Sequence, residues 1–544
     1  MNGAAHGRRP PALAGLAAAC VAVACVAFAV AACGGATPAP SSSAAVGHAR
    51  HRPVRLAPVS AVVSVAAAAA RTPIPHSYLG LSTEYWALPL WSQEMPLLER
   101  AMSLVRVRGD GPLILRVGGD SADHTFWDPT EARMPAWAFS VAPKWLSQAR
   151  ALVRRLGVRL ILDLNLITDT PGVAAQWAHA ARSALPPRSI DAFEVGNEPD
   201  IYSRADWLAI TAGRGLDGRL AGRQFGGAAL PAALTARDYV RDFRAYAAAL
   251  DEVAPQVMVA GPALANPIHH GRWVQTLIDG AHRNLGLVTI HRYPYTGCPG
   301  RRATRSYATI GRVLSPAAST EMAAGLRPLV DAAHDAGLPL RLTELNSVNC
   351  GGRAGVSDAF ATALWAPDAL FSLLRAGVDG VNLHVRAAAV NAPFALGPAG
   401  LQARPLLYGL ILFARTLGPD AQLVTLHSRL SRPANVSAWA VRVGRDSLRV
   451  LLIDKCRRSE RASLRLPASG PADVQRLLAP SAAARSGVTL GGRALGADGR
   501  WQGMPTRQTV VPRGGAYTVT VRRMSAALIT VRVRPGALGV IRGY

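Results

Sequence analysis

Residues 159–200 read RLILDLNLITDTPGVAAQWAHAARSALPPRSIDAFEVGNEPD. The run Arg159–Leu164 is short, apolar and unbroken, which suits a strand buried on both faces. An amphipathic stretch follows, then a second apolar run at Ala192–Val195. That run closes on Gly196-Asn197-Glu198-Pro199-Asp200. Strand, helix and strand at this spacing form the unit from which parallel sheets are built.

The same grammar extends in both directions. Strands are expected at Tyr78–Ser82, Leu113–Val117, Val257–Ala260, Val288–His291, Leu340–Glu344 and Val381–His384, with helical patterns between them. In Thr235–Val253, Tyr239, Phe243, Tyr246 and Leu250 recur at i, i+4, i+7 and i+11, one face of a helix that Thr235 or Asp238 can cap. Eight strand–helix units over about 340 residues match an α/β chain folded as a (β/α)8 TIM barrel, placed at residues 72–418. The alternative is a doubly wound sheet, but no strand runs into a phosphate-binding glycine loop. Gly213, Gly215 and Gly218 do spell GxGxxG, yet they follow a helical stretch, so the match is accidental.

After about Pro419 the period becomes two. Tyr517, Val519 and Val521 alternate with Thr518, Thr520 and Arg522, and Leu448, Val450 and Leu452 alternate with Ser447 and Arg449. Short alternating strands with Gly/Pro turns indicate an antiparallel β-sandwich over residues 419–544. Val59–Val65 also reads as a strand, so the segment 57–71 is a candidate to join that sandwich from the N-terminal side of the barrel.

Length and composition fit this division. A chain of 544 residues holds two or three domains by the usual domain size. At 50% hydrophobic and 17% charged it can bury large cores. The net charge of +26 would ordinarily suggest a polyanion partner, but only Lys144 and Lys455 are lysine and the arginines are scattered. Aromatic content is 6%, so a nucleic-acid face is not expected.

The first 33 residues read as an address. Arg8 and Arg9 precede an apolar run from Ala12, which ends at Val30-Ala31-Ala32-Cys33-Gly34. This ordering is that of a secretory signal, and the ending resembles a bacterial lipobox with Cys33 as the lipidated residue. Pro11–Ala32 is also long enough for an uncleaved membrane helix. Either way the bulk of the chain is expected outside the cytoplasm, as a cell-surface lipoprotein anchored to the bacterial membrane. Residues 34–56, rich in Ala, Pro and Ser, read as a flexible tether. Cys20 and Cys25 lie within the signal, leaving Cys298, Cys350 and Cys456. There is no CxxC, so no zinc site is expected. Cys298 and Cys350 each follow a predicted strand, and a loop–loop disulfide is the expectation against three free thiols.

Chemistry is expected at two strand ends, Glu194-Val195-Gly196-Asn197-Glu198-Pro199 and Thr343-Glu344-Leu345-Asn346-Ser347. In a barrel, residues at the C-terminal ends of strands line the active-site face. Counted along the chain these are strands four and seven, whose carboxylates would face each other across the cleft. Glycoside cleavage uses such a pair, one to protonate the leaving oxygen and one on the far side of the sugar. No metal or organic cofactor is needed. There is no GxSxG elbow for serine-hydrolase chemistry. His269-His270 reads as loop surface, because adjacent residues point apart.

These motifs, taken in order, resemble the β-glucuronidase and heparanase-like glycoside hydrolases of family 79, in the clan of retaining barrel enzymes. The resemblance runs from about Val59 to the C-terminus. It rests on Leu79-Gly80-Leu81-Ser82-Thr83-Glu84-Tyr85, Leu115-Arg116-Val117-Gly118-Gly119-Asp120-Ser121, Gly196-Asn197-Glu198-Pro199, His291-Arg292-Tyr293 and Thr343-Glu344-Leu345-Asn346-Ser347 with Gly351-Gly352. It implies Glu198 as general acid/base and Glu344 as nucleophile, with Tyr293 and Arg116 donating to Glu344. It implies that Glu84, Asp120 and Asn197 hold sugar hydroxyls, with Asn266 and His384 on the same rim. Relatives that cleave uronic acids hold the sugar carboxylate with backbone N–H groups of glycines after the nucleophile, here Gly351 and Gly352. They also often present a tyrosine after strand eight. Here that stretch is His384-Val385-Arg386-Ala387-Ala388-Ala389-Val390-Asn391, without one, and Asn391 or Arg386 is the substitute. The resulting expectation is a retaining, exo-acting β-glucuronidase whose partner is a β-linked uronic-acid glycan or glycoside. Alternatives are an endo-acting heparanase-like hydrolase, a β-glucosidase, or a carbohydrate-binding envelope lipoprotein.

Overall fold

The computed structural model describes residues 59–131, 138–167, 169–202, 234–387 and 389–533. The signal segment, Cys33, the tether and the glycines at 213–218 lie outside the described residues. Among those described, no helix is long and apolar enough to cross a membrane.

Eight parallel strands close into a barrel: Leu79–Glu84, Ile114–Gly118, Arg159–Leu164, Ile190–Val195, Met258–Leu264, Leu287–Arg292, Leu340–Leu345 and Gly380–His384. The last pairs with the first, Val381 opposite Leu79. Each strand lies within a few residues of its sequence expectation. The helix Ala236–Val253 starts at a capping box in which Thr235 and Asp238 exchange hydrogen bonds, and it buries Tyr239, Phe243, Tyr246 and Leu250.

The barrel interior is layered by the two-residue repeat of its strands. Ile114, Ile161, Ala192, Ala260 and Leu287 form a small apolar plug. Two residues further along their strands stand Arg116, Asp163 and Glu194, so the next layer toward the C-terminal rim is ionic. This plug gives the charged layer a rigid floor.

Two sheets make the β domain, and the smaller is mixed where an antiparallel one was expected, because Val59–Ser64 runs parallel to Glu460–Arg465. The smaller orders His427–Leu430, Val59–Ser64, Glu460–Arg465 and Tyr517–Val521. The N-terminal strand therefore sits inside that sheet, hydrogen-bonded on both sides. The segment 57–71 is not one strand, however. Arg71–Pro73 forms a second short strand that pairs with Gln422–Val424 at the edge of the larger sheet, so residues 72–73 belong with the β domain and not with the barrel.

The larger sheet is buried on both faces. Leu448, Val450 and Leu452 face the smaller sheet, while Leu451 and Ile453 join the barrel core. Between barrel and sheet lie Ala361–Ala376 and Pro405–Thr416, helices buried almost all round. Asp368 on the first of these accepts hydrogen bonds from Lys455 Nζ at 2.6 Å, Ser319 Oγ at 2.6 Å and Trp439 Nε1 at 3.0 Å.

Candidate active site

The nucleophile candidate reaches the cleft through a bulge. Strict alternation would send Thr343 and Glu344 to opposite faces. The pairing with the sixth strand slips, Ile290 opposing Leu342 and His291 opposing Glu344, so that Thr343 is the extra residue. Both side chains consequently face inward. Thr343 Oγ1 donates to Glu194 at 2.8 Å, and Glu344 meets Arg116.

Arg116 is wholly buried and every arm of its guanidinium is committed. Nε donates to Glu194 at 2.7 Å, Nη1 to Glu344 Oε1 at 2.6 Å, and Nη2 to Asp163 at 2.7 Å and to Asn197 Oδ1 at 3.1 Å. The other oxygen of Glu344 accepts from the Tyr293 hydroxyl at 2.6 Å, and His384 Nδ1 lies 3.0 Å from it. Burial works against a charge on Glu344. His384, His291 and Arg116 overcome it and hold the carboxyl well below its ordinary range.

Glu198 sits in a different field. Gly196 and Glu198 both have left-handed backbones, φ 78° and 53°, which turns the chain sharply at the end of strand four. A Cβ at Gly196 would stand 2.7 Å from Leu166, so the turn admits only glycine there. Burial pushes the Glu198 carboxyl up. The hydrogen bond from His291 Nδ1, at 2.9 Å, draws it part of the way back, and it stands at about 7. Glu198, His291 and Glu344 each place one donor atom within 4.8 Å of the others. These three have the geometry to ligate a cation, but Arg116 and His384 already supply positive charge to Glu344. The arrangement sets a carboxyl that holds its proton opposite one that stays ionised.

Beside this pair lies a line of unspent polar atoms. Glu84 Oε2 accepts from the Ser121 N–H at 2.9 Å, while buried Glu84 Oε1 has no hydrogen-bond partner among the described residues. His384 Nε2, 3.8 Å away, is likewise buried and unpartnered. At this separation the two atoms face each other as a buried His–Glu pair beside the catalytic carboxylates. Asp120 opens to solvent in the turn after strand two. Asn266 is half-buried after strand five, its N–H donating to Asp200 at 3.0 Å. His270 Nδ1 lies 2.8 Å from the same carboxylate, so of the pair read as loop surface only His269 is exposed.

The loop after strand seven corrects part of the carboxylate expectation. Gly352 donates its N–H to the Asn349 carbonyl at 2.9 Å, and a Cβ there would press on Asn391 and Ser357. Its glycine is needed for the turn, and its N–H is not offered to a ligand. No such backbone bond engages the Gly351 N–H among the described residues. Asn391 does not replace the missing tyrosine either. It is buried, its Nδ2 donates to the Val348 carbonyl at 2.8 Å, and it clasps the loops after strands seven and eight. The loops after strands six and seven are joined by the Cys298–Cys350 disulfide, Cα atoms 5.3 Å apart.

Three participants were missed in the sequence: His291, Asp163 and Glu194. All lie at or near strand ends, and His291 stands two residues before Tyr293. Position at the rim was the available signal, because their partners are far away in the chain.

Residues 434–528 match the model of the glycosyl hydrolase family 79 C-terminal beta domain. A beta-glucuronidase of Aspergillus niger is 24% identical over 504 residues, covering 83% of this chain and 88% of that relative. Among solved structures, a 4-O-alpha-L-rhamnosyl-beta-D-glucuronidase from Fusarium oxysporum 12S superposes with TM-score 0.68 at 17% identity, over 86% of this chain and 100% of that one. An alpha-L-arabinofuranosidase from Thermotoga maritima superposes with TM-score 0.62 at 15% identity, over 87% and 100%. These likenesses show a shared fold.

Proposed function

We propose that this glycoside hydrolase, which carries the family 79 C-terminal β domain, is a retaining, exo-acting β-glucuronidase. The observation that carries the proposal is the pair Glu198 and Glu344, oxygens within 4.8 Å and ionisation pushed in opposite directions. Retaining enzymes hold their carboxyl groups about 5–5.5 Å apart, whereas inverting enzymes need room for a water between them. Glu198, with a proton at neutral pH, gives it to the glycosidic oxygen as that bond breaks. Glu344, kept ionised, attacks the anomeric carbon to form a glycosyl–enzyme ester. Water then attacks this ester from the vacated side while Glu198 takes up its proton, and the sugar leaves with its original configuration. Arg116 and Tyr293 are positioning residues that fix both oxygens of the nucleophile.

The glucuronide reading is supported by the Aspergillus niger relative and by the Gly351 N–H in the loop after the nucleophile. Exo action is supported by the loops after strands six, seven and eight, which are bridged and clasped to one another beside the catalytic pair. The cellular reading places the enzyme outside the cytoplasm on a lipid at Cys33. An N-terminal peptide beginning at Met1 in the mature protein would overturn that placement.

The functional test is hydrolysis of 4-nitrophenyl β-glucuronide by wild type, Glu198→Gln and Glu344→Gln. Each variant is expected to lose at least about 10²-fold in kcat, the scale on which acid–base groups act. Wild-type rates in either would remove that residue from its role.

A further inference from the structure

We infer that Arg386 reads the carboxylate of the substrate, and that it sets the preference for a uronic acid over the neutral sugar. The inference rests on the β-glucuronidase reading and supplies what that reading lacks, a cation for the sugar's negative charge.

The catalytic pocket is rich in carboxylates. Glu344, Glu194, Asp163, Glu84 and Asp120 lie in or beside it, so an anionic sugar would meet repulsion unless a cation faces it. Arg116 cannot serve, because its Nε, Nη1 and Nη2 all donate to protein oxygens and none is exposed. Gly352 has spent its N–H on Asn349, and Asn391 has spent its amide on Val348.

Arg386 differs from all three. It stands two residues after His384 in the loop beyond strand eight, with its side chain about one-third exposed. Its Nη1 is 3.5 Å from Asp120 Oδ2 and its Nε is 4.0 Å from Glu84 Oε1. These are attractions across a gap, and the guanidinium makes no hydrogen bond among the described residues. Its fork of donors is therefore held in place by charge and left open to a ligand, the state in which arginine binds a carboxylate through two parallel bonds.

The direction is right as well. Contacts run from Glu344 to His384, from His384 to Glu84, and from Glu84 to Arg386. A sugar whose anomeric carbon meets Glu344, and which passes over His384 and Glu84, extends toward Arg386. Asp120 and Glu84 face each other's charge across this corner, and Arg386 is the guanidinium between them.

The test compares kcat/KM for 4-nitrophenyl β-glucuronide and β-glucoside in wild type, Arg386→Gln and Arg386→Lys. In Arg386→Gln the glucuronide-to-glucoside ratio is expected to fall by about 10–100-fold, the range for losing a charge-assisted contact. Arg386→Lys, a point charge without the fork, is expected to fall between the two. Thermal unfolding with free glucuronate or glucose reads binding without turnover. Glucuronate is expected to raise the midpoint of wild type and not of Arg386→Gln. A wild type that prefers the glucuronide, with a ratio and a glucuronate shift that survive in Arg386→Gln, would overturn the inference alone. A wild type that prefers the glucoside would overturn the substrate reading and the inference with it.

Discussion

Glu198 and Glu344 are the same chemical group in two electrostatic settings, and the difference sets the expected pH profile. In the proposed mechanism Glu198 enters the cycle protonated, and with its carboxyl at about 7 the rate is expected to fall above that pH, tenfold per unit. Glu344 must be ionised, and its depressed carboxyl places the acid limb below the ordinary carboxylate range. The histidines tune these limbs separately. His291 lowers the Glu198 carboxyl, so His291→Asn is expected to move the alkaline limb of kcat/KM to higher pH. His384 lowers that of Glu344, so His384→Asn is expected to move the acid limb upward. A histidine that merely packs would change the rate and leave the limb where it was. Glu198 and Glu344 were legible because each ends a strand within a distinctive short motif. Of the ionic layer beneath them, only Arg116 donating to Glu344 was legible, through the family resemblance. Its meetings with Asp163 and Glu194, across separations of 47 and 78 residues, are encoded by no local pattern.

At the scale of elements, the loops are what the catalytic pair depends on. The disulfide Cys298–Cys350 closes a loop spanning 52 residues that contains strand seven, and it ties Tyr293's loop to Glu344's. Serine at both cysteines is expected to cost about 3–4 kcal/mol of stability by loop entropy, measured as a drop in the denaturation midpoint. An unchanged midpoint would mean that the bridge adds nothing to the fold. Barrel strands were legible because unbroken apolar runs bounded by helical patterns leave few other readings. The bulge at Thr343 was not, since alternation alone puts Thr343 and Glu344 on opposite faces. The glycines at 351 and 352 were legible as backbone specialists, but which N–H is free depends on a turn that only coordinates reveal.

Across the whole molecule, barrel and β domain share one core, and buried charge marks the seam. Lys455 of the β domain pairs with Asp368 of a barrel helix, and Lys455→Met is expected to destabilise the protein by about 3–5 kcal/mol, because it strands a buried carboxylate. A second feature makes stability depend on pH. In the β domain Asp454 and Glu460 are buried, and among the described residues three of their four carboxyl oxygens have no hydrogen-bond partner. Burial raises Asp454 to about 7 and, with the Asp454 charge, Glu460 to about 8. A raised carboxyl favours the folded state fully below its unfolded value of about 4, and that advantage is lost as pH climbs through its folded value. The thermal midpoint is expected to decline from about pH 4 to pH 8, and Asp454→Asn with Glu460→Gln to flatten the decline. The β-sandwich was legible from period-two strands such as Tyr517–Val521. The second buried face of the larger sheet was not, because it packs on helices far away in the sequence.

The proposed retaining mechanism is tested most directly by proton NMR of 4-nitrophenyl β-glucuronide during early hydrolysis, before the released sugar mutarotates. The β anomer of glucuronic acid is expected to form first and decay to the equilibrium mixture. Initial release of the α anomer, or no release at all, would contradict the double displacement through Glu344.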